Sequence, residues 1–179
     1  MPKIFVISGH SGSGKTTIAY ALLKQIKNLE KIITCTTRNP RPNEVDGKDY
    51  FFISKKEFEL NIKNNLMAEF EEYSGNYYGS RKSDVKKILY SGKNVLFVVE
   101  TKGALTLKKN FPSAILIFIK APSVEELKKR LFLRGDAKEI IEKRISEING
   151  ELTREKEFDF IIINDILDDS IKQVKKLFE

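Results

Sequence analysis

Cysteine is nearly absent from this chain. The single Cys35 leaves no internal disulfide and no cysteine-based metal site, which fits a reducing compartment and a cytoplasmic location. No apolar run approaches the roughly 20 residues needed to cross a bilayer, so no membrane association is expected. The first residues are one lysine and a short apolar run, without the pattern of a secretion signal. Repeats and low-complexity tracts are also missing. What is present is enough core-forming material, 41% hydrophobic in 179 residues, for one domain of ordinary size with room for an inserted subdomain.

The charge is basic, +7 from 32 basic and 25 acidic residues. Such an excess suits nucleic acid, anionic small molecules or a lysine-rich surface. Most of the lysines are mixed with glutamates in helical stretches such as 24–31, 55–63 and 138–143, which reads as a solvated face. A nucleic-acid partner is therefore not expected.

Periodicity predicts a βα rhythm. Lys3–Ser8 reads as a buried strand, Thr16–Lys27 as a helix, and Ile32–Ile33 as the start of a second strand. The rhythm resumes with strands at Val95–Val99 and Ala114–Ile119, a helix at Thr101–Asn110, a long charged helix at Lys138–Lys156, a strand at Phe160–Ile163 and a helix at Asp169–Phe178. Uninterrupted apolar strands alternating with helices predict an α/β fold, a parallel sheet covered on both faces. Between them, Thr36–Tyr90 is polar and aromatic and reads as an insertion. Strands are expected at Tyr50–Ile53 and Leu66–Tyr73, with a helix near Lys55–Asn64 capped by Ser54 and Glu57. Ser83 is expected to cap another helix, and Ser123 with Glu126 a third.

One stretch carries definite chemistry. Gly9-His10-Ser11-Gly12-Ser13-Gly14-Lys15-Thr16 lies between an apolar strand and a helix, the setting of a phosphate-binding P-loop. Its glycines let successive N–H groups converge on a phosphate, and the helix start adds its positive dipole end. Lys15 supplies charge for the outer phosphates, and the Thr16 hydroxyl can hold Mg²⁺. Ser11, Ser13 and Thr17 complete the expected triphosphate cradle; His10 sits at a variable loop position as a bystander. A second group, Arg38, Arg41 and Tyr50, lies on a proline-containing loop. Two guanidinium forks and a phenol suit a monoester phosphate. From spacing alone they are equally well surface arginines and a core tyrosine.

The chain resembles guanylate kinases from end to end: GHSGSGKTT, TTRNPRPNEVDGKDYFF, EFEEYSGNYYGS, ETKG, APSVEELKKRL, then RG and IIIND. The second and third segments are the specific ones. The resemblance implies transfer of the γ-phosphate of ATP to GMP on a three-layer P-loop core. That core would comprise residues 1–34 and 91–179, with a small GMP-binding insertion at about 36–90 and a helical lid at about 130–146. It also implies that Arg38, Arg41, Tyr50 and Tyr78 hold the GMP phosphate, and that Thr34, Glu69, Gly79, Ser80 and Glu100 surround the guanine side. Arg130 and Arg134, four residues apart on one helix face, and Arg144 would bring positive charge to ATP and the transferring phosphate. ATP and GMP are the implied partners, with no obligatory protein partner.

By itself, Glu69 reads as a solvated acid, Tyr77 and Tyr78 as packing residues, and the three arginines as partners of Glu126, Glu139 or Glu147. The resemblance changes the reading of Glu69, Tyr78 and the arginines and leaves Tyr77 structural. Guanine offers N1–H and a 2-amino group side by side, and one carboxylate accepts both. The chain departs from the family pattern at Val98, where an acid is usual, at Glu100, where aspartate is usual, and at Lys102, where glutamine is usual. The lid after Gly135 is also slightly short. These departures bear on metal handling and on the fit around GMP. A protein-binding module without catalysis would have no need of the intact Gly14-Lys15-Thr16. A P-loop kinase for another phosphorylated acceptor would not need Arg38, Arg41 and Glu69 together.

Overall fold

The computed structural model describes residues 1–178 apart from Ser74 and Thr153, and only the backbone of 143 and 147–152. The chain runs β1 (Ile4–Gly9), α1 (Lys15–Gln25), β2 (Leu29–Lys31), β3 (Cys35–Thr36), β4 (Phe51–Phe52), α2 (Lys55–Lys63), β5 (Met67–Tyr73), β6 (Asn76–Arg81) and α3 (Lys82–Tyr90). It continues with β7 (Asn94–Val98), α4 (Thr101–Asn110), β8 (Ile115–Lys120), α5 (Val124–Leu133), α6 (Lys138–Leu152), a 3₁₀ turn (Glu155–Glu157), β9 (Phe160–Ile163) and α7 (Leu167–Lys176).

The main sheet has the order β2-β7-β1-β8-β9, and every pairing in it is parallel. Its central strands β1, β7 and β8 are largely apolar because both of their faces are covered. In β1, Ile4 and Val6 join one core with Phe97, Leu107 and Phe118, while Phe5 and Ile7 join a second with Ile18, Leu22 and Val174. The period of two divides the strand between two helix layers. The result is the three-layer α/β architecture expected from the sequence.

A second sheet, β4-β3-β6-β5, is built from residues 35–81. Here the sequence reading needs correction. Glycine, asparagine and serine in SGNYYGS favour a loop, yet Asn76–Arg81 is a strand antiparallel to both β5 and β3. Its Gly79 is required by close approach, since a Cβ there would lie 2.5 Å from the Glu69 carbonyl oxygen. Three further boundaries move. The second strand is Leu29–Lys31 rather than Ile32–Ile33, whose Ile32 instead enters the core. Ser83 lies inside α3, whose cap position is Arg81. The long charged helix ends at Leu152, before the 3₁₀ turn.

The caps at Ser54 and Ser123 are as expected: each hydroxyl accepts from the N–H three residues on, at 3.1 Å. Glu126 does not close its box, because its carboxylate accepts from Arg130 at 2.9 Å. Among the described residues, no helix is long and apolar enough to cross a membrane.

Candidate active site

The cleft beside α1 is lined by His10, Ser11, Gly12, Gly14, Lys15, Thr16, Thr17, Glu100, Arg130 and Arg134, with a volume of about 470 Å³. Its floor follows from backbone geometry. Gly9 has φ +140°, and a Cβ there would sit 2.0 Å from the Ile119 carbonyl oxygen on β8, so only glycine lets the loop leave the sheet so tightly. Gly14 caps α1 in the left-handed conformation and, as a glycine, offers the first N–H groups of the helix no side-chain cap of its own. Those donors and the helix dipole face the cleft, as an anion site requires. Ser13 is fully buried and is not among the cleft-lining residues.

The Lys15 ammonium donates to the carbonyl oxygens of Gly9 and His10, the latter at 3.2 Å. It also lies 3.4 Å from Glu100 Oε1. Thr16 and Thr17 are exposed, and Thr16 and Glu100 are hard oxygen donors on the same cleft. That donor set suits Mg²⁺, which keeps several waters and takes few protein ligands. The buried His10 ring packs edge-on to Phe118 at 5.2 Å, while its carbonyl accepts from Lys15.

A second group of residues forms on the smaller sheet. Arg38 lies over the Tyr50 ring at 5.4 Å, and the Tyr50 and Tyr78 rings meet edge-on at 6.3 Å. The Arg38 fork is held by Glu44: Nη1 donates to Oε2 at 3.0 Å and Nη2 to Oε1 at 2.8 Å. The Arg41 backbone N–H also donates to Glu44, at 2.7 Å, while the Arg41 side chain is exposed. The bond from Arg38 holds the Glu44 carboxyl below its ordinary range. Thr34 is half-buried, and its carbonyl accepts from the Phe51 N–H at 2.9 Å. Tyr77 stacks on Phe58 with centroids 5.2 Å apart, so it packs as expected.

Glu69 is 5% exposed, not the solvated acid its type suggests. The pairing of β5 with β6 shifts register between Met67 and Glu69, and three consecutive residues, Met67, Ala68 and Glu69, are all buried. Such an irregularity re-aims a side chain. Ser80, opposite on β6, donates its hydroxyl to Glu69 Oε1 at 2.9 Å. Burial pushes the Glu69 pKa up to about 7, against the lowering effect of that hydrogen bond.

One helix links the two groups. Glu100, at the N-cap of α4, faces Lys15, and a Cβ on Gly103 of the same helix would lie 3.4 Å from Glu69 Oε2. The arginines of α5 and α6 gather less completely. Arg134 lines the cleft and its Nη2 reaches Ser11 Oγ at 3.3 Å. Arg130 lines the cleft but pairs with Glu126, as its bland reading had it. Arg144 is not among the cleft-lining residues; it pairs with Asp136. The Glu147 side chain lies outside the described residues.

Three residues escaped the sequence reading. Glu44 orients Arg38, and Asp136 joins Arg134 to Arg144. The third is Asn164, 4% exposed at the end of β9, whose Nδ2 donates to the Ser13 carbonyl at 2.8 Å and so braces the phosphate loop. The only local signal for Asn164 was a polar residue closing an apolar strand.

The sequence profile of the guanylate kinase family matches residues 1–179. A guanylate kinase of a Synechocystis species is 42% identical over 98% of this chain and 92% of its own length. That of Lactococcus lactis is 40% identical over 98% of this chain and 86% of its own. The crystal structure of guanylate kinase from Anaplasma phagocytophilum superposes with a TM-score of 0.75 at 28% identity, covering 98% of this chain and 84% of that one. With the phosphate loop, the second sheet and its buried carboxylate all in place, the chain belongs to the guanylate kinase family.

Proposed function

We propose that the chain transfers the γ-phosphate of ATP to GMP, yielding ADP and GDP. The observation that carries this reading is the shared helix α4. It faces the P-loop lysine with Glu100 and packs Gly103 beside the buried Glu69, so a donor site and a base-reading site adjoin.

In this reading the P-loop N–H groups and Lys15 hold the β- and γ-phosphates of ATP. Their oxygens compete with the Gly9 and His10 carbonyls for the Lys15 ammonium. Arg38, Arg41, Tyr50 and Tyr78 hold the GMP phosphate, with the Arg38 fork oriented by Glu44. Glu69 accepts from N1–H and the 2-amino group of guanine, while Thr34 and Ser80 hydroxyls serve its O6 and N7 side. Gly79 lets β6 lie close enough to β5 for Ser80 to reach Glu69.

Chemistry here is positioning and electrostatics, without a covalent intermediate. Arg134 and Arg144 supply charge to the equatorial and bridging oxygens as the bond loosens, and Arg130 serves the ATP side. Mg²⁺, held by Thr16 and the nucleotide phosphates, supplies further charge neutralisation when bound. Residues of the second sheet and the α5–α6 lid would close over the nucleotides and exclude the water that would otherwise hydrolyse ATP. A cytoplasmic location fits the free, buried Cys35, whose thiol burial pushes up to about 11.

A coupled turnover assay with ATP and GMP, using AMP, CMP and UMP as controls, tests this. GMP is expected to be the preferred acceptor by orders of magnitude. Equal turnover of AMP would refute the assignment, and no turnover of any monophosphate would favour a binding module.

A further inference from the structure

The α5–α6 link contains a carboxylate that the reaction chemistry does not call for. Helix α5 ends in a tight closing motif: Gly135, φ +88°, donates its N–H to the Phe132 carbonyl at 2.9 Å, and the Asp136 N–H donates to Leu131 at 3.3 Å. A left-handed glycine followed by such a back-bonded residue is a Schellman cap, which fixes the backbone on which Asp136 sits. Helix α6 is packed against α5 through Ile141 on Leu127 and Leu131. Both sides of the link are thus held before any ligand arrives.

On that frame one acid meets two cations. Arg134, at the C-cap of α5, donates Nε to Asp136 Oδ1 at 3.2 Å and Nη2 to Oδ2. Arg144, on α6, donates Nη1 to the same Oδ2. Arg134 keeps its reach to the phosphate loop, through Ser11 Oγ at 3.3 Å. Two guanidiniums brought to one phosphate repel each other, and both have long, mobile stems. A carboxylate between them offsets the repulsion and removes rotamer freedom, while leaving a net positive charge on the trio. The Asp136 carboxyl is held below its ordinary range by its bond from Arg134.

We propose that Asp136 is a positioning residue for phosphoryl transfer, bracketing Arg134 and Arg144 into one cationic pair beside the P-loop. This rests on the reading that the two arginines act on the transferring phosphate. Asp136 itself touches no reacting atom; it sets where the two forks lie. An ion pair this close to the surface adds little to stability, so the bracket should show in turnover rather than in folding.

The test uses the full chain with Asp136→Asn, Asp136→Glu, Arg134→Ala, Arg144→Ala and the double variant Asp136→Asn/Arg144→Ala. Asp136→Asn is expected to lower kcat by between about tenfold and a hundredfold, the scale of a misplaced catalytic group. KM for GMP should stay within about twofold, as expected when only transition-state contacts are lost. Its thermal midpoint should stay close to that of the parent. Asp136→Glu should recover part of the loss by keeping the charge. In the Arg144→Ala background, Asp136→Asn should cost no more than about threefold, because coupled residues are non-additive. If Asp136→Asn and Asp136→Glu turn over at or above the parent rate while the arginine variants are slow, this inference is overturned and the arginine roles stand. Parent-like rates in both arginine variants would instead remove the reading on which it rests.

Discussion

The Ser80 hydroxyl donates to Glu69 Oε1 at 2.9 Å, from β6 to β5 of the smaller sheet. Burial holds the carboxyl's pKa up at about 7, against the lowering effect of that bond and of a further one from the Ser80 backbone N–H. Accepting from N1–H and the 2-amino group of guanine requires the ionised form, so bound GMP lowers that pKa. KM for GMP is therefore expected to rise as pH falls below about 7, approaching tenfold per pH unit, and GMP binding near pH 6 should release a proton. Calorimetry in buffers of different ionisation enthalpy reads the proton directly. Proton uptake or no exchange would contradict the assignment of Glu69.

The same shift has a consequence for stability. With a folded pKa of about 7 against an ordinary 4.5, the native chain binds more protons than the unfolded chain between those values. Glu69 therefore contributes stability that is fully present below about 4.5 and is lost as pH rises to about 7. Glu69→Gln should remove this slope in denaturant titrations of the nucleotide-free protein, and an unaltered slope would place the shift elsewhere. The variant should also narrow the GMP/AMP ratio of kcat/KM, with KM for ATP little changed, because its amide turns one acceptor into a donor.

Lys15→Ala removes the charge from a loop that keeps its glycine backbone angles and its brace from Asn164. Turnover should fall by more than a hundredfold, about 3 kcal/mol or more of barrier, with the protein still folded. Near-parental turnover in the purified variant would show that this loop does not bind the transferring phosphate.

Asn164→Ala leaves the Ser13 carbonyl without its buried donor. A loss of about 1–3 kcal/mol in unfolding free energy is expected, together with a raised KM for ATP, because the loop it braces is the phosphate cradle. Intact stability and intact KM would mean that water replaces the amide without cost.

Excess EDTA is expected to abolish turnover. Thr16→Ala should raise the Mg²⁺ concentration needed for half-maximal rate severalfold, and Thr16→Ser, which keeps the hydroxyl, should restore it. A Mg²⁺ response unchanged in Thr16→Ala would show that this hydroxyl is not a ligand.

The phosphate loop was legible because its chemistry is local. Gly9, Gly12 and Gly14 set backbone angles, and Lys15 and Thr16 follow in the same turn of chain, so neighbours in sequence are neighbours in the site. The apolar strands and the Ser54 and Ser123 caps were legible for the same reason, since period and capping act within a few residues. Asn76–Arg81 was not, because glycine, asparagine and serine signal a turn. Its partners lie at β3 and β5, and their pairing overrides the local preference.

What the sequence by itself determined, then, is the donor half of this protein: a parallel α/β core and a loop built to wrap a phosphate. Tertiary structure decided how the second sheet is assembled and how the arginines of α5 and α6 are paired. Glu69, which the family resemblance sets at the guanine, is buried through the irregular pairing of β5 with β6. Glu44, Asp136 and Asn164 gained their partners across turns or across the sheet, Asn164 meeting a residue 151 positions away. Glycine geometry and hydrophobic period act over a few residues, whereas the burial of a charge and the pairing of side chains depend on which distant segments the folded chain brings together.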